Sequence, residues 1–214
     1  IAVFAAMASI VTTQGLGILW TYGKFMGEFY LGIAILWGLL AVAGFLFLGP
    51  RIARLIALIR EPILLAFSTA SSQAAYPKTL EQLGPFGASK KITSFVLPLG
   101  YSFNLDGSMM YCTFAVLFIA QAYGIQLDAT QQITMLLILM VTSKGMAGVP
   151  RASLVVIAAT LATFNIPEAG LLLIMGIDQF LDMGRSATNV VGNSIATAVA
   201  AEWEGGLKAE AQGE

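Results

Sequence analysis

The 214-residue chain contains no histidine and a single cysteine, Cys112. An internal disulfide is therefore excluded, and so is a metal centre built from clustered Cys and His. Cys112 reads as a small packing residue. Charge is scarce as well: Asp, Glu, Lys and Arg make up 11% of the residues, sum to a net charge of -1, and form no basic tract. Neither nucleic acid nor an anionic membrane surface is a natural partner for such a chain. An initiator methionine is also lacking, and the apolar run that opens at Ile1 has neither the basic start nor the cleavage site of a signal peptide. We expect a chain without the N-terminal part of a longer protein. What is abundant is apolar. Hydrophobic residues account for 57% of the sequence, with a mean hydropathy of +0.82. That balance excludes an ordinary soluble domain and points to an all-α polytopic membrane protein.

Residues 1–22 and 29–49 are uncharged and about as long as the roughly 20 residues a helix needs to cross the hydrocarbon, so each is expected to span. Residues 50–91 behave differently. Their apolar stretch is broken by Arg54, Arg60, Glu61 and Pro62, passes through STASSQAAYP, and ends at Lys90 and Lys91. A similar pattern recurs at 131–164, where about ten apolar residues lead to SKGMAGVPRAS and then to a second apolar arm. Both read as re-entrant helical hairpins. Non-helical tips at membrane depth are tolerated only when buried in protein or lining a wet cavity. Residues 92–123 are long enough to span, but Gly100, Asn104, Asp106 and Gly107 predict a helix broken in its middle. Repeated hairpin-plus-helix units with interrupted segments are the mark of secondary transporters. Basic residues at 51, 54, 60, 90 and 91, against none at 124–130 or 165–169, predict that the first hairpin enters from the cytoplasm and the second from outside.

A final amphipathic helix is predicted at 168–204, followed by a polar tail at 205–214. It carries Asp178, Asp182, Arg185, Asn189 and Asn193, which fall within an arc of about 80° at roughly 100° per residue. Ionisable residues inside a membrane are costly and mark function, with a partner to be named. Asp182 and Arg185 lie three residues apart, so they either neutralise one another or bind a ligand. A guanidinium fork matches a carboxylate and a carboxylate matches an ammonium, so together they suit a zwitterion with an extra carboxylate. Mutual neutralisation leaves Asn104, Asp106 and Ser108 in the broken helix unexplained.

NLDGS at 104–108, FIAQ at 118–121, SKGMAGVP at 143–150 and DMGRSATNVVGN at 182–193 resemble the glutamate transporter family, the dicarboxylate/amino acid:cation symporters. The resemblance covers essentially the whole chain, with four motifs in order. It implies the glutamate-transporter-like fold with its N-terminal helices absent, a multi-pass protein of the cell (inner) membrane in contact with the lipid bilayer, and a homotrimer when full length. It implies that substrate is bound by Arg185 through its side-chain carboxylate, by Asp182 through its amino group, and by Asn189 and the first tip, Ser71 and Ser72, through its main-chain carboxylate. Ser108, Ser186 and Gly148 complete that set. Coupling cations would be held by Gly100, Asn104, Asn189 and Asn193, by Ser102 with the tip residues Ser143, Lys144 and Met146, and by Asn104 with Asp106. Read without the family, Ser71 and Ser72 are ordinary helix-start serines and Asn104 satisfies broken backbone.

Departures from the family pattern carry information too. Position 193 is Asn where sodium-coupled members carry Asp, position 105 is Leu rather than the common Met, and Cys112 stands where animal members carry a proton-bearing Glu. These departures resemble bacterial proton-coupled carriers, so the expected coupling ion is H+, with Na+ as the alternative, and no organic cofactor is expected. Asp182 argues for glutamate or aspartate as the anionic substrate, with a C4-dicarboxylate (succinate, fumarate or malate) as the alternative. Lys144 and Arg151, flanking the second tip, read either as solvated gate charges or as attractors of an anion. Asp178 reads as a ligand or as a helix-orienting hydrogen-bonder. An intramembrane aspartyl protease with Asp106 and Asp182 as its dyad is the remote alternative. Arg185, one turn from Asp182, disfavours it, because it would hold that acid ionised.

Overall fold

The computed structural model describes residues 5, 8, 11, 12, 15–144 and 146–207. Among the described residues the chain is helical between its loops, with one isolated antiparallel bridge between Ala88 and Leu207. Helix α1, Gly17–Leu48, runs 32 residues without a proline. It stops at Gly49, whose φ of 58° is a conformation glycine takes cheaply, and Pro50 starts the next helix. The expected boundary at 22–29 is thus corrected: Lys24 and Glu28 sit inside α1 as an i,i+4 pair at 3.8 Å, both exposed. A pair at that spacing lies along one helix face and breaks no backbone bond. Of the expected span at 1–22, residues 1–4, 6, 7, 9, 10, 13 and 14 lie outside those described.

Helices α2, Arg51–Leu58, and α3, Arg60–Thr69, lead into a two-residue tip. Ala70 adopts a left-handed φ of 50°, and Ser71 caps α4, Ser72–Phe86, by accepting from the Ala74 N–H at 3.2 Å. Helix α5, Lys90–Phe103, and α6, Asp106–Ala122, are separated by Asn104 and Leu105, whose backbones leave the helical region. The break lies where Asn, Asp and Gly interrupt the apolar run. Helix α7, Ala129–Thr142, starts on a capping box between Asp128 and Gln131 and leads to a tip at residues 143–152. Helix α8, Ser153–Thr163, returns.

Instead of one final helix from 168, a short 3-10 turn at Glu168–Gly170 and α9, Leu171–Met175, precede α10, Asp178–Trp203. Gly176 and Ile177 turn the chain between them, Ile177 with φ -111° and ψ -7°. Helix α10 packs against α1, α3, α4, α5 and α6. It is buried on nearly all sides from Asp178 to Ala201, so its polar stripe faces other helices rather than water, and "amphipathic" describes its sequence but not its surroundings. One apolar cluster, with Phe29, Tyr111, Ile119 and Met135, includes Leu181 near the start of α10, and another, with Leu55, Leu83 and Leu97, includes Ile195 and Ala198 toward its end. By contrast α1 leaves Leu31, Leu39, Val42 and Leu46 between 60% and 74% exposed. So broad an apolar face suits lipid or neighbouring helices better than water. Among the described residues two stretches, Gly17–Leu48 and Lys90–Ala122, are long and apolar enough to cross a membrane.

Candidate substrate and cation site

The site grows out of one side chain. Arg185 is fully buried, and four of the hydrogen bonds its planar fork can donate are made. Its Nε pairs with the Asp182 carboxylate one turn back on α10. Nη1 donates to Ser108 Oγ at 3.2 Å, and Nη2 donates to two backbone carbonyls, Ala70 at 3.4 Å and Val149 at 3.2 Å. Those carbonyls belong to the first and second tips. Both hairpins therefore end on the same guanidinium.

The tips also meet each other. Ser71 Oγ donates to Gly148 O at 2.9 Å, and the Gln73 N–H donates to the same carbonyl at 3.2 Å. Asp182 is engaged on both oxygens, because the second accepts the Arg151 N–H at 2.8 Å. Arg151, in the left-handed region with φ 64°, turns its guanidinium toward Asp178, Nε to Oδ2 at 3.4 Å, while Tyr111 donates to the other Asp178 oxygen at 2.5 Å. Asp178 is thus held by two partners, the arrangement of an orienting group. Tyr111 was not among the expected site residues, and Arg151, read as a gate charge or an attractor of an anion, pairs with Asp178 instead. Tyr111 lies three residues after Ser108 on α6, on the same face, which was the available signal.

Asn189 ties α10 to the break. Its Oδ1 accepts the first N–H groups of α6, from Gly107 at 2.9 Å and Ser108 at 3.3 Å, and its Nδ2 donates to Ser108 Oγ at 2.9 Å. A helix start leaves such donors unpaired, and here a neighbouring helix satisfies them. Gly107 permits the approach: a Cβ there would collide with the Arg185 carbonyl oxygen and lie 2.8 Å from Thr188 Cβ. Ser72 and Ser186 are buried with hydroxyls that find no partner.

The expected cation residues separate into two groups. Gly100, Asn104, Asp106 and Asn193 come together at the break: Asn104 Nδ2 donates to Asn193 Oδ1 at 3.3 Å, and a Cβ on Gly100 would meet that same oxygen. The Asp106 carboxylate lies against Gly192. Asn193 Nδ2 is buried without an acceptor. The atom that residue 193 turns toward Gly100 and Asn104 is its neutral amide oxygen, which brings no charge to a cation there. The second group, Ser102 with the tip, is not assembled. Ser102 Oγ turns back to Pro98 O at 3.4 Å, Ser143 and Met146 are buried in the tip, and Lys144 sends its ammonium to Phe103 O at 2.5 Å. Gly145, also in this tip, lies outside the described residues.

Among the described residues no cluster of three His, Cys, Asp or Glu occurs that would bind a metal. A proton-sharing dyad of Asp106 and Asp182 is ruled out by position: Asp106 lies at Gly192, ten residues and roughly 15 Å of rise along α10 from Asp182, which faces Arg185.

The sodium:dicarboxylate symporter family matches residues 1–203. The proton/sodium-glutamate symport protein of Bacillus subtilis (strain 168) is 45% identical over 207 residues, 95% of this chain and 47% of its own length. The proton/glutamate-aspartate symporter of Escherichia coli (strain K12) is 47% identical over 206 residues, 95% of this chain and 47% of that one. A C4-dicarboxylate transport protein of Laribacter hongkongensis (strain HLHK9) is 43% identical over 211 residues, 98% of this chain and 48% of its own. The chain spans about half the length of these curated relatives, which are named for transport and not for catalysis. Because the family model matches residues 1–203, nearly its whole length, the chain belongs to the sodium:dicarboxylate symporter family.

Proposed function

We propose that this chain forms the substrate- and cation-binding part of a secondary active symporter that takes up glutamate or aspartate across the cell (inner) membrane by alternating access. The observation that carries the reading is the meeting of both tips on Arg185: Ala70 O and Val149 O share one guanidinium nitrogen. A distal carboxylate is the natural replacement for those carbonyls, because charge-assisted bidentate bonds to arginine are stronger than neutral ones. Residues 50–91 and 131–164 act as re-entrant hairpins, entering from the cytoplasm and from outside, and the second is the outer gate. The substrate's ammonium goes to Asp182, with Ser71, Ser72, Ser108, Gly148, Ser186 and Asn189 around the remaining groups. The full-length carrier is a homotrimer spanning the bilayer several times.

Protons are the coupling ion in this reading. Support comes from residue 193, where an amide with a free donor replaces a charged ligand, and from relatives named for proton as well as sodium symport. One observation favours a second reading, a C4-dicarboxylate carrier: both Asp182 oxygens are already engaged, by Arg185 and by the Arg151 N–H, so the acceptor an ammonium needs is taken. The test is uptake of labelled glutamate, aspartate and succinate by proteoliposomes of the full-length carrier under separately imposed proton and sodium gradients. Glutamate or aspartate uptake driven by the proton gradient alone is expected. Uptake that needs sodium and ignores the proton gradient refutes the coupling, and uptake of succinate alone refutes the substrate.

A further inference from the structure

Helix α5 ends in an electrostatic problem that its own segment does not solve. The last carbonyls of a helix have no intrahelical donor and carry the negative end of its dipole. Asn104 N–H satisfies Gly100 O at 2.7 Å, yet no basic residue occupies the last turn of α5. Two residues further on, α6 opens with the carboxylate of Asp106. The break is therefore a negative place, and a cation has to come from elsewhere.

It comes from the second tip. Lys144 lies 41 residues along the chain and places its ammonium 2.5 Å from Phe103 O. Ser102, a hydroxyl on the last turn of α5, donates its proton to Pro98 O in its own helix, at 3.4 Å. We propose that the Lys144 ammonium is a tethered monovalent cation: it fills the carbonyl end of α5, draws the second tip onto the break, and keeps free sodium out of that place. The inference rests on the carrier reading for its meaning in coupling, but the ammonium's position stands on geometry alone. Lys144 is exposed, and the Phe103 carbonyl at the negative end of α5 supplies its charge with a partner. One consequence is fewer free cations per substrate, because one has become part of the protein.

The test is thermal unfolding of the detergent-solubilised full-length carrier in sodium chloride against choline chloride at equal ionic strength. Lys144→Met is expected to gain a saturable sodium-dependent rise in midpoint of a few degrees over the wild type, as for a ligand that binds only the folded state. Lys144→Arg keeps the charge and should respond as the wild type does. Lys144→Cys provides a second route should the Met variant fold poorly. Modified with a neutral methylthio group it should behave as Lys144→Met, and modified with an aminoethylthio group it should lose the extra sodium response. A sodium response that is the same in the wild type and in every neutral form overturns the proposal. Glutamate, aspartate and succinate added to the same samples report separately on the carrier reading: no stabilisation by any of them sinks that reading and leaves the sodium comparison intact.

Discussion

Replacing Asp182 by serine separates an acidic amino acid from a dicarboxylate. In the closed site Asp182 accepts from Arg185 Nε and from the Arg151 N–H, so it both neutralises the arginine and anchors the second tip. When an amino acid enters, its ammonium needs this carboxylate, and serine leaves that charge without a counter-ion. A buried polar group stripped of its partner costs about 1–3 kcal/mol, and more when charged. Each 1.4 kcal/mol is about tenfold in affinity, so Asp182→Ser should weaken glutamate and aspartate by at least about tenfold. Succinate has no ammonium and avoids that penalty. It also meets an Arg185 no longer shared with an internal acid, so it should lose less or gain. Asp182→Asn is the companion variant: its amide oxygen still accepts the Arg151 N–H, and any loss caused only by a loosened tip should be smaller there than in the serine variant. The assay is competition of unlabelled glutamate, aspartate, succinate and serine against labelled substrate in proteoliposomes. Equal depression of aspartate and succinate by Asp182→Ser would refute the assignment and make Asp182 a structural partner of Arg185.

Asn193→Asp should raise the dependence of uptake on sodium, since it replaces an orphaned amide donor with a charged ligand beside Asn104; unchanged ion dependence counts against the role of residue 193 in coupling. Joining the tips through a Ser71→Cys and Val149→Cys pair, in a background where the buried Cys112 is alanine, should block uptake on complete crosslinking without lowering thermal stability. Full uptake after crosslinking would show that the second tip is not the gate. Gly107→Ala should destabilise by about 1–3 kcal/mol, the usual cost of overpacking, because its Cβ meets the backbone oxygen of Arg185. An unfolding midpoint equal to wild type contradicts the close α6–α10 seam.

The elements whose sequence conflicts with their surroundings were the legible ones. Asn104, Asp106 and Gly107 in an apolar run announced the break, and the structure leaves the helix at Asn104 and Leu105. The polar stripe of α10 was equally plain, since one helix fixes the angular spacing of its own residues. Other features left no signal. Lys24 and Glu28 suggested a boundary, but an i,i+4 pair is as compatible with a continuous helix as with a loop. Most partners at the site are backbone groups: the carbonyls of Ala70, Val149, Gly148 and Phe103 and the N–H groups of Gly107 and Arg151. Every residue type supplies those groups, so no choice of side chain records which one is used. Ser102 shows the converse, because its identity suited a cation ligand while its rotamer gave the hydroxyl to its own helix.

On the proposed alternating-access reading, the same backbone partners would couple a small substrate to movement of the second tip. To open, the second tip must release Val149 O from Arg185, the Arg151 N–H from Asp182, the Arg151 guanidinium from Asp178 and Gly148 O from the first tip. Individually such bonds are worth about 0.5–1.5 kcal/mol net. They share partners with the substrate, however, and the acids and the guanidinium that bind the tip are the groups a zwitterion would take. Ligand binding and tip position therefore cannot be independent on this geometry: a ligand shifts a conformational equilibrium by its difference in affinity between the two states, and here that difference is built from exchanging tip bonds for ligand bonds. A substrate that leaves Asp182 in the hands of Arg151, as a dicarboxylate would, keeps one of those bonds that an amino acid must break. The two substrate classes should thus differ in how firmly the gate closes over them as well as in how tightly they bind.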